Sequence, residues 1–196
     1  MIVKKLLPIN PFSRPGEKLT EVLGIVYHYT GASGQENDVT RRYFEMLANQ
    51  DENDRKRDRF ASAHYIIGID GEILQVIPDD EIAYHVGARE YTLLAFNSFH
   101  GYTYNKRRST PNWCTIGIEL CHPDSSGKFT DETIKAGAFL GGSLLKQHEL
   151  TTDNIFRHYD ITEKICPKYF VKNEEEWHRF LRKIDQEHKE WGMLEK

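Results

Sequence analysis

The sequence predicts an α/β domain with a central mixed β-sheet flanked by helices. Three observations carry that expectation. Short runs of β-branched and aromatic residues recur at 21–30, 64–77, 115–121 and 154–158. Segments with helical spacing lie between and after them. A chain of 196 residues, 39% hydrophobic and 12% aromatic, is long and apolar enough for one domain with a sizeable core. Strands interleaved with helices build a sheet covered by helices, and sites in such sheets gather at strand ends.

The elements follow in chain order. The first dozen residues are Pro-rich, broken by Pro8 and Pro11, and read as an extended arm. "EVLGIVYHYT" (Glu21–Thr30) reads as a buried strand ending at His28. Val39, Tyr43 and Leu47 recur four apart over Asp38–Asn49 and predict a helix face. "HYIIGI" and "EILQVI" flank Asp70-Gly71, the favoured type I′ pair, and predict a hairpin. "TIGIELC" (Thr115–Cys121) is a second buried strand. Thr130 is placed to cap a helix with Asp131 and Glu132 in its first turn. Gly137, Gly141 and Gly142 on that helix predict close packing on a sheet. "NIFRH" (Asn154–His158) reads as a short strand ending at His158. Asn173 with Glu176 predicts a capping-box start for the last helix, whose Trp177, Phe180, Leu181, Ile184, His188 and Trp191 form a packing face. No repeat or linker divides 1–196, so one domain is expected.

Charge and cysteine usage exclude several classes. A net charge of -4, from 26 Lys+Arg against 30 Asp+Glu, gives no general attraction to nucleic acid or to anionic membranes. The alternating "DRKRDR" (Asp54–Arg59) reads as a solvated loop or helix end. Cys114, Cys121 and Cys166 are too few and odd in number for a disulfide framework, which suits a reducing compartment during folding. No signal peptide and no membrane-spanning run is visible. Synthesis in the cytoplasm is therefore expected, and a target outside it would require another route of export.

Chemistry concentrates in few residues. "HELTT" fails the HExxH zinc pattern, "GASG" fails the hydrolase elbow, and no phosphate-binding loop is present. His28, His64, His85, His158 and Cys166 remain. Two imidazoles and a thiolate make a zinc site with one open position. On spacing alone, a buried thiol beside a core histidine is the better reading of Cys166. Glu119 alternates against Ile118 and Leu120 on an apolar strand. Its readings are a salt bridge, an edge strand with a wet face, or a general base whose pKa is raised by its surroundings. Lys164 is either a loop lysine or a positive charge for an oxyanion.

Taken together, "IVYHYTG", "SAHYIIGIDGEILQVIPDDEIAYHVG", "TIGIEL" and "HYDITEKICP" occur in an order that resembles the zinc-dependent N-acetylmuramoyl-L-alanine amidases of type 2. That family includes phage endolysins, bacterial autolysins and the peptidoglycan recognition proteins. The resemblance runs from about Gly24 to Phe170. It implies the peptidoglycan recognition protein-like amidase fold, a Zn2+ cofactor and hydrolysis of the bond between N-acetylmuramic acid and L-alanine. By the same resemblance His28, His158 and Cys166 are the zinc ligands, Glu119 activates water and Lys164 steadies the oxyanion. His85 lines the groove against substrate. Thr30, Tyr65 and His64 shape the cleft or orient ligands. Where some phage members carry a catalytic tyrosine, this chain has Ala63, which directs attention to Glu119. Cysteine at the third ligand position favours an enzyme over the family's non-catalytic peptidoglycan-binding modules, the alternative reading. It also favours lysis over recycling, where aspartate is usual. The implied protein is a monomer of one catalytic domain, with no separate wall-binding domain visible. Its partner is peptidoglycan, without nucleic acid or membrane insertion, and it reaches the wall after release by a holin or by lysis.

Overall fold

The computed structural model describes residues 1–51, 58–103 and 109–193. Most of the charged run, Asp54–Arg57, lies outside the described residues. Six strands form one sheet: β1 (Ile2–Lys4), β2 (Gly24–Tyr29), β3 (Tyr65–Ile67), β4 (Ile73–Gln75), β5 (Thr115–Leu120) and β6 (Ile155–Arg157), in the order β1-β4-β3-β5-β2-β6. Only the β3–β4 pair is antiparallel, so the sheet is mixed, as the sequence predicts. The helices are α1 (Asn37–Met46), α2 (Leu93–Ser98), α3 (Asp131–Gln147), α4 (His158–Thr162), α5 (Lys168–Lys172) and α6 (Glu174–Met193). Among the described residues, no helix is long and apolar enough to cross a membrane.

Period-two alternation sorts the central strands onto two faces. Ile25 and Tyr27 of β2 lie beside Ile116 and Ile118 of β5, and with Leu120 they pack against α3 and α6. Val26 and His28 occupy the other face, with Gly117 and Glu119 beside them in register. Ile66 of β3 continues that row next to Glu119. The side facing α3 and α6 is apolar at its centre, with Gln75 of β4 and Arg157 of β6 as polar members towards its margins. On the other side the sheet turns polar towards the carboxyl ends of β2 and β5.

Several elements differ from the sequence expectation. The opening arm contributes an edge strand, β1, parallel to β4, and buries Leu7 and Phe12. The hairpin turn is not type I′. Gly71 donates its N–H to the Gly68 carbonyl at 3.1 Å and Gly68 donates to Glu72 at 2.8 Å, so the loop has three residues, Ile69 to Gly71. Gly71 alone of these has a positive φ, of 83°, which is the type I turn with a glycine bulge. The buried side of α1 carries Thr40 and Phe44, one residue on from the expected Val39 and Tyr43, and leaves Tyr43 exposed, while Leu47 just after the helix is buried as expected. His158 opens α4 where the strand was expected to end. Asn173 donates its side-chain amide to Tyr169 at 2.9 Å, closing the turn before α6.

Thr130 does cap α3, accepting from the Thr133 N–H at 3.1 Å. The glycines of α3 serve contact with α6 more than with the sheet. A Cβ on Gly142 would lie 2.7 Å from both Glu187 Cβ and the His188 backbone nitrogen. Overpacking of this kind costs about 1–3 kcal/mol, against about 1 kcal/mol regained from alanine's helix propensity. Gly142→Ala is expected to lose up to about 2 kcal/mol, read as a lower urea midpoint at unchanged slope. A raised midpoint would show that α3 and α6 part at little cost.

Candidate metal centre

The site stands where β2, β5 and β6 end. His28 is the fifth residue of β2 and is buried at 2% exposure. His158 follows β6 directly and opens α4, so the strand's end sets its height. Arg157 and Asp160 fasten that junction: the Asp160 carboxylate accepts the Arg157 backbone N–H at 2.7 Å and its guanidinium at 2.8 Å. Glu163 ends α4 in the left-handed conformation, φ 61°. The chain then doubles back, and the Tyr159 N–H, free at the helix start, donates to the Cys166 carbonyl at 2.9 Å. This bond brings Cys166, eight positions downstream, level with His158.

His28 Nδ1 lies 3.0 Å from His158 Nδ1 and 3.8 Å from Cys166 Sγ. The three donors all fall within 4.8 Å of one another. A tetrahedral zinc ion with ordinary bonds to nitrogen and sulfur sets neighbouring donors about 3.3–3.6 Å apart. Burial, reinforced for His28 by the neighbouring histidines and Lys164, holds its imidazole well below the usual histidine range, and burial with the Lys164 charge lowers His158 to about 3. Both rings are therefore neutral at pH 7, with lone pairs to offer. Burial pushes the Cys166 thiol up to about 12, with the Glu119 charge adding to it, so its proton leaves only when a cation takes its place. Two imidazoles and a soft sulfur suit zinc. The donor set and its spacing fit that ion.

Glu119 stands beside His28 in the adjacent strand. Its Oε2 is shut off from solvent without a hydrogen-bond partner among the described residues. That leaves the salt-bridge reading unsupported. Burial raises the carboxyl to about 7, opposed by the charge of Lys164. Lys164 is itself exposed on the loop between α4 and Cys166. These residues line a cleft of about 460 Å³. Aromatic rings, Tyr43, Phe60 and Tyr84, also line it, with Phe60 edge-on to Tyr84 at 5.5 Å between centroids.

The other expected residues divide. Thr30 lines the cleft. Tyr65 does not: it is 3% exposed, lies in the core under α3, and donates its hydroxyl to Asp79 at 2.7 Å. The reason is alternation, since Tyr65 follows His64 and must face the other way. His85 borders the cleft, yet both of its ring nitrogens are engaged by protein, Nδ1 with His28 at 3.0 Å and Nε2 with Thr115. His64 is fully buried behind it and accepts the Gly117 N–H at 3.0 Å. Asn112 was not singled out from sequence. Its carbonyl oxygen accepts the backbone N–H groups of His85 and Val86 at 3.0 and 2.8 Å, fixing the loop that carries the histidine.

Comparison with known proteins adds three findings. The family model described as N-acetylmuramoyl-L-alanine amidase matches residues 18–169. A probable N-acetylmuramoyl-L-alanine amidase of Bacillus licheniformis is 32% identical over 184 residues, 94% of this chain and 47% of the relative. The N-acetylmuramoyl-L-alanine amidase BlyA of Bacillus subtilis is 32% identical over 179 residues, 91% of this chain and 45% of the relative. The chain thus spans about half the length of these curated relatives. In fold, it is similar to a mutant endolysin from Bacillus subtilis, with TM-score 0.68, 23% identity, and coverage of 94% of this chain and 98% of that one. The structure of PlyL gives TM-score 0.69 at 18% identity, covering 95% and 98%.

Proposed function

The chain belongs to the N-acetylmuramoyl-L-alanine amidase family, and from that premise we propose that it is a catalytic domain that hydrolyses the amide bond between N-acetylmuramic acid and L-alanine in peptidoglycan, as a wall-lytic enzyme. The observation that carries the reading is the meeting, in the wall of one cleft, of three buried metal donors with a carboxylate that has one oxygen unpartnered among the described residues.

In this reading His28, His158 and Cys166 hold zinc. The bound ion supplies a Lewis acid for the scissile carbonyl and for the attacking water. Glu119 takes the proton from that water on its carboxylate. Burial raises this carboxyl above the usual carboxylate range, which suits it both to accept this proton and to return it to the leaving amine. Lys164 places a positive charge where the carbonyl oxygen becomes negative. Water adds across the C–N bond, leaving a lactyl carboxylate on the sugar and a free amino group on L-alanine.

Mass spectrometry of digested peptidoglycan tests the proposal. The expected products are stem peptides beginning with L-alanine beside intact glycan strands. Cut glycans, or cut cross-links alone, would reject it. Tight binding to wall material with no new amino termini, zinc being supplied, would select the binding-module reading instead.

A further inference from the structure

The proton positions along a row of buried histidines can be deduced from their partners. Thr115 Oγ1 donates to the Pro111 carbonyl at 2.6 Å. Its lone pairs are therefore what it turns towards His85 Nε2, 3.3 Å away. The Thr115 carbonyl lies 3.4 Å from the same nitrogen. Both partners accept, so His85 carries its proton on Nε2. Its Nδ1 is then a lone pair, 3.0 Å from His28 Nε2. Only a donor satisfies that contact, so His28 carries its proton on Nε2. Nδ1 of His28 is left bare, and it is the nitrogen that faces His158 and Cys166.

We propose that His85 is a positioning residue for the metal centre, holding His28 in the tautomer and ring orientation that present Nδ1 to the ion, through a relay anchored on Thr115 and Pro111. The proposal rests on the zinc reading above. Ligand histidines depend on an acceptor at their second nitrogen, and losing it costs about 10–100-fold in metal affinity.

The surroundings of His85 are built for this. A Cβ on Gly117 would come within 2.7–2.9 Å of the His85 ring, so the bare strand surface at Gly117 is the seat of the imidazole. His64 closes the far side, edge-on at 5.9 Å between centroids. Its own proton sits on Nε2, because Nδ1 accepts from Gly117 and Nε2 faces the Glu81 carbonyl at 2.8 Å. A histidine serving chiefly as a substrate contact would keep a nitrogen free for the cleft, and His85 keeps none.

Two measurements test this. In the metal-free parent, long-range 15N–1H spectra of the imidazoles should show His28 protonated on Nε2 and bare at Nδ1. Zinc affinity by chelator competition should weaken about 10–100-fold in His85→Ala. It should stay within a few-fold of the parent in His85→Asn, whose side-chain oxygen falls near the Nδ1 position. A His28 proton on Nδ1 overturns the proposal, and that spectrum needs no variant to fold. Unchanged zinc affinity in His85→Ala with a raised KM for a muramyl peptide also overturns it, making His85 a substrate contact. A parent that binds no zinc overturns the metal reading, and the positioning role with it.

Discussion

Cys166→Ser is expected to lose bound zinc and lytic activity together. Cys166 is 2% exposed and its sulfur lies 3.8 Å from His28 Nδ1. A serine oxygen would occupy nearly the same volume, but it is a harder donor and stays protonated at neutral pH. Two imidazoles would then hold the ion alone. The loss of affinity should exceed the about 10–100-fold attached to partners one shell further out. Because the substitution is nearly isosteric, the metal-free variant should unfold within about 1 kcal/mol of the metal-free parent. Metal content by mass spectrometry, turbidity clearing of wall suspensions and urea unfolding separate the outcomes. Full clearing with no metal bound would remove zinc from the mechanism. A large loss of metal-free stability would make Cys166 chiefly a packing residue.

Much of this centre was legible along the chain, because strand ends are marked by composition. Val, Ile and Tyr runs stop at His28, and "NIFRH" stops at His158. Glu119 was visible as an acid breaking an apolar strand. Their meeting was not visible, since it depends on β2 lying parallel to β5 with His28 opposite Glu119. Strand order and register are set by the packing of whole faces, which local pattern does not contain. Cys166 illustrates the same limit. Its spacing from His158 fits no compact metal motif, and only the loop folding back onto Tyr159 brings the two together.

Two differences had signals that a stricter reading of the same rules would have caught. Alternation that placed Glu119 in the cleft also places Tyr65 away from it, because His64 and Tyr65 are neighbours on one strand edge. Gly117 sits inside a buried strand of "TIGIEL", where glycine marks a close approach from above. The approaching group is the His85 ring. The hairpin carried no such signal. An Asp-Gly pair serves a two-residue type I′ loop and a three-residue loop with a glycine bulge equally well, and the choice falls to pairing beyond the turn.

Glu119→Gln is expected to keep its zinc and lose turnover by about two orders of magnitude or more, the scale of general-base contributions. Glutamine preserves the shape of the side chain but cannot take a proton from water. It touches none of the three metal donors through a bond that holds them, so metal content should match the parent. The metal-free protein gives a second readout of the same group. Burial raises the Glu119 carboxyl from its usual 4.5 to about 7. Between those values the folded chain keeps a proton that the unfolded chain has released, so the parent loses stability as pH rises through that window. Each unit of difference is about 1.4 kcal/mol. Glu119→Gln removes the titration. Relative to the parent, the variant should therefore gain about 3 kcal/mol between pH 4 and pH 8. Unfolding curves at the two pH values, in chelator, measure it. A gain that is equal at both would mean that Glu119 titrates normally and that the cleft does not exclude water from it. Turnover unchanged in Glu119→Gln would move the base to another residue, whatever the stability showed.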